Sequence, residues 1–326
     1  MLKAIYEETG SPLDVLKLVD TDIAELNAGD VRVDVLATPI HNADLLQMQG
    51  QYGISPQFPA TPGSEGVGRI VEIGAGISHL EVGQTVLITG TSTWAKQIVA
   101  PAQNLIPMPE GVDADQISML VVNPASALLM LNDYVDLQAG DWIIQNSSNS
   151  AVGSLVIQLA KLRGIKTVNI VRRAEVVGDL EALGADVVLV DGPELEKQVA
   201  AATNGEPIRL GLDSIGGASF AKLVSMLAPS AKMVVYSSMD GAPVSVPPMD
   251  MIFKGISFHG FWLAQWFKTA TQEDMQKLFG ELVGHVANGN IHMKIDSAFP
   301  LTQLEQAVAR AMETGRNGKV ILRPQS

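Results

Sequence analysis

The sequence predicts an α/β protein in two parts, one β-rich and one built on a doubly wound parallel sheet. Three observations point there. Up to residue 118 the chain consists of short apolar stretches punctuated by Gly and Pro, among them "VRVDVLATPI", "GVGRIVEIGAG", "GQTVLITG" and "WAKQIVA". Over 119–265 strand-like and helix-like stretches alternate. Near the head of that alternation, "DWIIQNSSNSAVGSLVIQLAKLRG" at 141–164 runs from a short apolar strand through small residues into an amphipathic helix.

The elements follow in order. "MLKAIYEETG" reads as an opening strand, and the scarcity of helical periods before 118 predicts a compact, barrel-like unit of short strands. After the strand Trp142 to Ile144, the residues Val152, Leu155, Val156, Leu159 and Leu162 fall at helical spacing. Next come "IKTVNIV", a helix through "AEVVGDLEALG", "DVVLV", and a helix over 193–203. "IRLGLDSI", a helix over 217–228, "KMVVYSS" and "ISFHGFW" complete the series. Six strands with intervening segments predict a parallel sheet with helices on both faces. A helix at 271–288, a strand near 295–299, a helix at 301–314 and a last strand "GKVILRP" are free to return to the first part.

Composition excludes several function classes. The 326 residues carry a net charge of −13, which disfavours nucleic-acid binding, because affinity for phosphate backbones comes from clustered Lys and Arg. No apolar run reaches the ~18–20 residues that span a bilayer, and the start lacks a signal-peptide pattern. There is no cysteine, which removes disulfides, thiol nucleophiles and thiolate zinc sites together. A cytoplasmic protein without membrane or nucleic-acid partners is expected.

The turn at 145–153 poses the cofactor question. In the dinucleotide fingerprint G-x-G-x-x-G, glycines let the turn close and bring backbone N–H groups to a pyrophosphate at the helix start. Here those positions are Ser148, Ser150 and Gly153. Asn149 and Ser150 can supply side-chain hydrogen bonds and an N-cap in their place. The end of the next strand is more telling. An acid there accepts from the ribose 2′-hydroxyl of NAD, whereas Arg suits a 2′-phosphate. "TVNIV" is followed by Arg172 and Arg173, which predicts NADPH; the plainer alternative is a pair of arginines solvating a loop.

Five segments carry a family resemblance: "QGQYG" at 49–53, "NPASALLML" at 123–131, "QNSSNSAVG" at 145–153, "VVYSSM" at 234–239 and "GFWLAQW" at 260–266. With them the chain resembles, over essentially its whole length, the medium-chain dehydrogenase/reductase superfamily. It is most similar to the zinc-free branch of quinone oxidoreductases and mitochondrial-type 2-enoyl thioester reductases. The resemblance implies a GroES-like catalytic domain from 1–118 and 266–326 around a Rossmann domain at 119–265, a homodimer, and hydride delivery from NADPH to an activated C=C bond. It implies Tyr52 as proton donor. It also implies cofactor contacts from Asn123, from Asn149, Ser150, Ala151 and Val152, and from Arg172 and Arg173. Tyr236, Ser237, Ser238 and Met239, then Phe261, Trp262 and Leu263, and finally Lys319 complete that set. The chain departs from the family where "IHNAD" places His41 at a usual Asn, where "YSSM" replaces "YGGM", and where Ala151 replaces a glycine.

Conjugate reduction needs hydride at the β-carbon and a proton at the α-carbon. A tyrosine phenol, ordinarily titrating near ~10, is protonated at neutral pH and can donate that proton. Without the resemblance, Tyr52 would read as a turn tyrosine. His41 has three readings: a cofactor hydrogen bond, an alternative proton donor, or a structural histidine. It stands where zinc-dependent relatives have a cysteine ligand and Ser64 where they have a histidine, so no catalytic metal is expected. Trp262 and Trp266 suit packing or pocket lining. The activity expected is NADPH-dependent reduction of an enoyl thioester, enone or enal, a small-molecule substrate. Quinone reduction, which does not need Tyr52, and a structural or regulatory NADPH-binding role are the alternatives.

Overall fold

A computed structural model describes residues 1–90 and 92–326. Thr91, within the "TGTSTW" segment expected to shape a pocket entrance, lies outside them. The chain divides into two compact units, Met1–Val122 with Phe279–Ser326, and Asn123–Leu278.

The first unit is built on a seven-stranded sheet. Its longest strand, Asp30–Pro39, pairs antiparallel with Glu65–Ile73, Gln97–Pro101 and Lys319–Arg323. Val31, Val33 and Val35 point inward at period two and pack on Ile70, Val86 and Ile88, as strand geometry requires. The carboxy-terminal segment is built into this unit. Ile295–Pro300 lies parallel to Lys319–Arg323 at the sheet edge. The helix Leu304–Met312 buries Leu304, Ala307, Val308 and Ala311 against Tyr6, Ile40, Met48 and Trp94.

Asp296 locks that return. Its carboxylate accepts from Arg310 Nη2 at 2.6 Å and Nε at 2.8 Å, from Asn317 N at 3.1 Å and from Ser297 Oγ at 2.9 Å. These donors, Arg310 above all, hold it down at about 2. A carboxylate depressed on folding stabilises above its unfolded value and loses that contribution as pH falls through its folded one. Stability from this pair is therefore expected in full above about pH 4 and to fade toward pH 2. Asp296→Asn should cost about 1–3 kcal/mol at neutral pH and flatten the acid limb of a urea-melt series.

The second unit is a Rossmann fold. Its six parallel strands run, across the sheet, Val187–Val190, Lys166–Val171, Trp142–Gln145, Ile208–Asp213, Lys232–Val235 and Ser257–Gly260. Strand order thus reverses beside Trp142–Gln145, where such sheets bind ligands at the carboxyl ends of their strands. Ile144, Val168, Leu210, Leu212 and Val234 are fully or nearly fully buried, as expected for strands covered on both faces. Among the described residues no helix is long and apolar enough to cross a membrane.

Candidate active site

In the second unit, the turn after Trp142–Gln145 solves the missing-glycine problem in two ways. Ser147 takes the left-handed conformation, φ 50°, that a glycine would supply. Ser148 is fully buried, its hydroxyl donating to Gln145 O and Ile170 O at 3.2 Å, so it braces the turn against two strands. Ser150 caps the helix Ala151–Leu162, accepting from Gly153 N at 3.1 Å. Gly153 is irreplaceable on geometry: a Cβ there would sit 2.7 Å from Ser148 O and 2.8 Å from Ser147 O. The result is a capped helix start with exposed Asn149 and half-buried Ala151 and Val152 beside it, fit for an anion.

Several other expected residues directly follow these strands. Arg172 and Arg173 are exposed directly after Lys166–Val171. Tyr236 to Met239 follow Lys232–Val235; Met239 N donates to Ser214 O, and its sulfur accepts from Ser147 Oγ at 3.6 Å. Burial raises the Tyr236 phenol. Asn123 is buried at the start of Asn123–Asn132. Phe261, Trp262 and Leu263 follow Ser257–Gly260, and Phe261 and Trp262 help line a cavity of about 480 Å³ with Asp133, Tyr134, Gln265 and Trp266. Lys268 Nζ lies 5.4 Å from the centre of the Trp262 ring.

Two residues here escaped the sequence reading. Asn146 Nδ2 donates to Asp213 Oδ1 at 2.5 Å, and its Oδ1 accepts from Ser214 N at 2.9 Å. Asp213 also takes Gly216 N and Ile215 N, so the two amino acids clamp adjacent strand ends at the reversal point. The signal was "LDSIGG" after a strand, which resembles any turn until its partner strand is known.

The first unit holds a buried charged cluster. His41 precedes the helix Asn42–Met48, and its backbone N–H donates to Asp44 at 2.8 Å. Its ring is only 2% exposed. His41 Nε2 lies 2.5 Å from Glu65 Oε1, and Nδ1 lies 2.8 Å from Lys319 Nζ. Glu65 Oε2 accepts from Val121 N at 2.5 Å and Val122 N at 3.1 Å. Ser64 donates to Asp44. Burial, helped by Lys319, pushes His41 down to about 3, which makes it a neutral imidazole. Burial also raises Glu65, against its backbone donors, and lowers Lys319, against the Glu65 charge. Both His41 ring nitrogens are thus engaged, and the ring acts as a bridge. Tyr52 follows the same helix in the chain. The chain leaves Asn42–Met48 through Gly50, at φ 71°, and places Tyr52 half-buried in an irregular loop.

Residues 27–110 match the alcohol dehydrogenase GroES-like domain, and residues 151–283 match the zinc-binding dehydrogenase domain. The chain is 34% identical to the mitochondrial enoyl-[acyl-carrier-protein] reductase of Rattus norvegicus, over 98% of this chain and 87% of that one. It belongs to the medium-chain dehydrogenase/reductase superfamily. Within this superfamily, a Bacillus thuringiensis structure described as an NADPH:quinone reductase superposes with a TM-score of 0.92 at 27% identity, covering 99% and 98% of the two chains. The complex of Etr1p with NADP and crotonyl-CoA superposes at 0.89 and 25% identity, covering 99% of each.

The zinc of the second domain's description does not fit the residues present. The chain has no cysteine, Ser64 is committed to Asp44, and an ammonium occupies the approach to His41 Nδ1. A dication beside Lys319 would meet like charge instead of a tetrahedral donor set.

Proposed function

We propose that this dehydrogenase/reductase reduces a conjugated C=C bond with NADPH. One observation carries the reading: a capped, anion-ready helix start followed by Arg172 and Arg173 where an NAD enzyme has an acid. Whole-length likeness to enoyl reductases supports the substrate class.

NADPH, when bound, would supply the hydride. The N–H groups at the start of Ala151–Leu162, beside the Ser150 cap, would hold the pyrophosphate, and the two guanidinium groups would hold the 2′-phosphate. Tyr52 gives the α-carbon its proton and stabilises the enolate oxygen before it does so. Arg172→Ala with Arg173→Ala should raise the KM for NADPH by about 10–100-fold, the loss of a charged hydrogen bond or two, and leave NADH unchanged. A double variant that still prefers NADPH would sink the assignment. Absorbance assays with crotonyl-CoA, a short enal and 1,4-benzoquinone test the reaction itself; NADPH binding without turnover of any would favour a structural or regulatory role.

Quinone reduction is the second reading. The aromatic cavity favours it, since Tyr134, Phe261, Trp262 and Trp266 offer flat faces and Asp133 repels anions. A homodimer completes the proposal. Ser257–Gly260 is an edge strand, and the adjacent helix Pro248–Lys254 exposes Met249, Met251, Ile252 and Phe253. A second copy covers both features; light scattering at the monomer mass would exclude it. The cysteine-free composition is compatible with a reducing compartment such as the cytoplasm.

A further inference from the structure

The cluster in the first unit has the form of an activated nucleophile, which reduction of a C=C bond does not require. Lys319 Nζ faces a ring nitrogen of His41 at 2.8 Å, the opposite nitrogen faces Glu65 at 2.5 Å, and the carboxylate is anchored by two backbone N–H groups. A nucleophile within reach of a base, with the base oriented by a third group, is the arrangement that activates serine and cysteine nucleophiles elsewhere. Because Glu65 is fully buried and acceptor-only when ionised, the neutral imidazole donates Nε2–H to it. The Nδ1 lone pair is then directed at the lysine.

This geometry lets a proton leave Lys319 without charging the histidine. As a proton enters at Nδ1, the Nε2 proton passes to Glu65, so the imidazole changes tautomer and stays neutral. The other groups around the amine are Asp44, on the helix Asn42–Met48, and Arg316, ahead of the last strand. Asp44 and Glu65 favour the ammonium, whereas burial and Arg316 oppose it, and the balance lies at about 8. Lys319 is only partly exposed, so only a small reagent suits an amine whose base is sealed inside.

We propose that Lys319 is an activated amine that small acyl thioesters acylate in preference to the chain's other lysines. In the step, Nζ attacks the thioester carbonyl, a C–N bond forms and the C–S bond breaks. One ammonium proton ends on Glu65 by way of His41, and a second goes to the departing thiolate. The products are an N-acyl lysine and a free thiol, and no oxidant or reductant is consumed. Acylation removes the positive charge that pairs with Glu65. The proposal is independent of the reductase reading, because its test contains no NADPH.

The experiment incubates the full chain with S-acetyl-N-acetylcysteamine across about two pH units either side of 8 and quantifies acetylation of each lysine by peptide mass spectrometry. Lys319 should react at least about tenfold faster than Lys197, which is 81% exposed, with a rate that rises through about pH 8. His41→Asn and Glu65→Gln should each bring Lys319 down to the Lys197 rate while circular dichroism stays unchanged. A wild-type Lys319 that reacts no faster than Lys197 overturns the proposal. So does a preference that survives both substitutions. If neither variant folds, the wild-type ratio and its pH dependence decide.

Discussion

Tyr52→Phe is expected to lower kcat/KM toward an enoyl substrate by about 10²–10⁴-fold, the usual worth of a positioned proton donor. NADPH binding should hold, because the residues proposed to hold its phosphates, at the start of Ala151–Leu162 and at Arg172 and Arg173, are unchanged. Phenylalanine keeps the ring and removes only the hydroxyl, so packing is preserved. A quinone accepts its protons from water, and its turnover should be unaffected. The paired assay therefore separates the two activities in one variant. Alkene reduction that survives the substitution at wild-type rate would strip Tyr52 of the donor's role. Loss of both activities, with NADPH binding intact, would mean that the ring hydroxyl positions substrates in general.

Glu65→Ala is expected to destabilise the first unit by about 3–5 kcal/mol, the cost of removing one partner from a buried charged pair. The carboxylate is the hub of the cluster: without it the N–H groups of Val121 and Val122 lose their acceptor, and His41 and Lys319 keep positive or polar atoms in a desolvated place. Glu65→Gln retains an acceptor for the backbone and should cost less. Urea melts read the total. Hydrogen exchange at Val121 and Val122 localises it, since both amides should lose protection in Glu65→Ala and keep most of it in Glu65→Gln. A loss under about 1 kcal/mol in the alanine variant would show that water reaches the cluster and repairs it.

Much of this was legible in advance. Strand and helix alternation over 119–265 foretold the parallel sheet, because buried parallel strands and amphipathic crossover helices carry different hydrophobic periods. Ser150 was legible as a cap and Gly153 as the surviving glycine, since both act within a few residues of themselves. The role of Ser148 was not. Its position in the fingerprint marked it only as a replacement for a turn glycine, whereas its hydroxyl is spent on Gln145 and Ile170, the second of which lies on another strand. Helix ends shifted by one to three residues, as with the helix expected at 193–203 and found at Leu195–Ala202, because end positions depend on caps more than on periodicity.

By itself the sequence determined what local chemistry determines: the strand-turn-helix at 142–162, the paired arginines after the second strand, and the exclusion of thiolate chemistry by the lack of cysteine. Tertiary structure alone decided the clamp between Asn146 and Asp213 and the chain from Lys319 through His41 to Glu65, whose first link joins residues 278 positions apart. Such contacts leave no periodic trace. They exist because sheet pairing buries Glu65 and His41 together, and a charge taken out of water must find its partner wherever the fold has placed one.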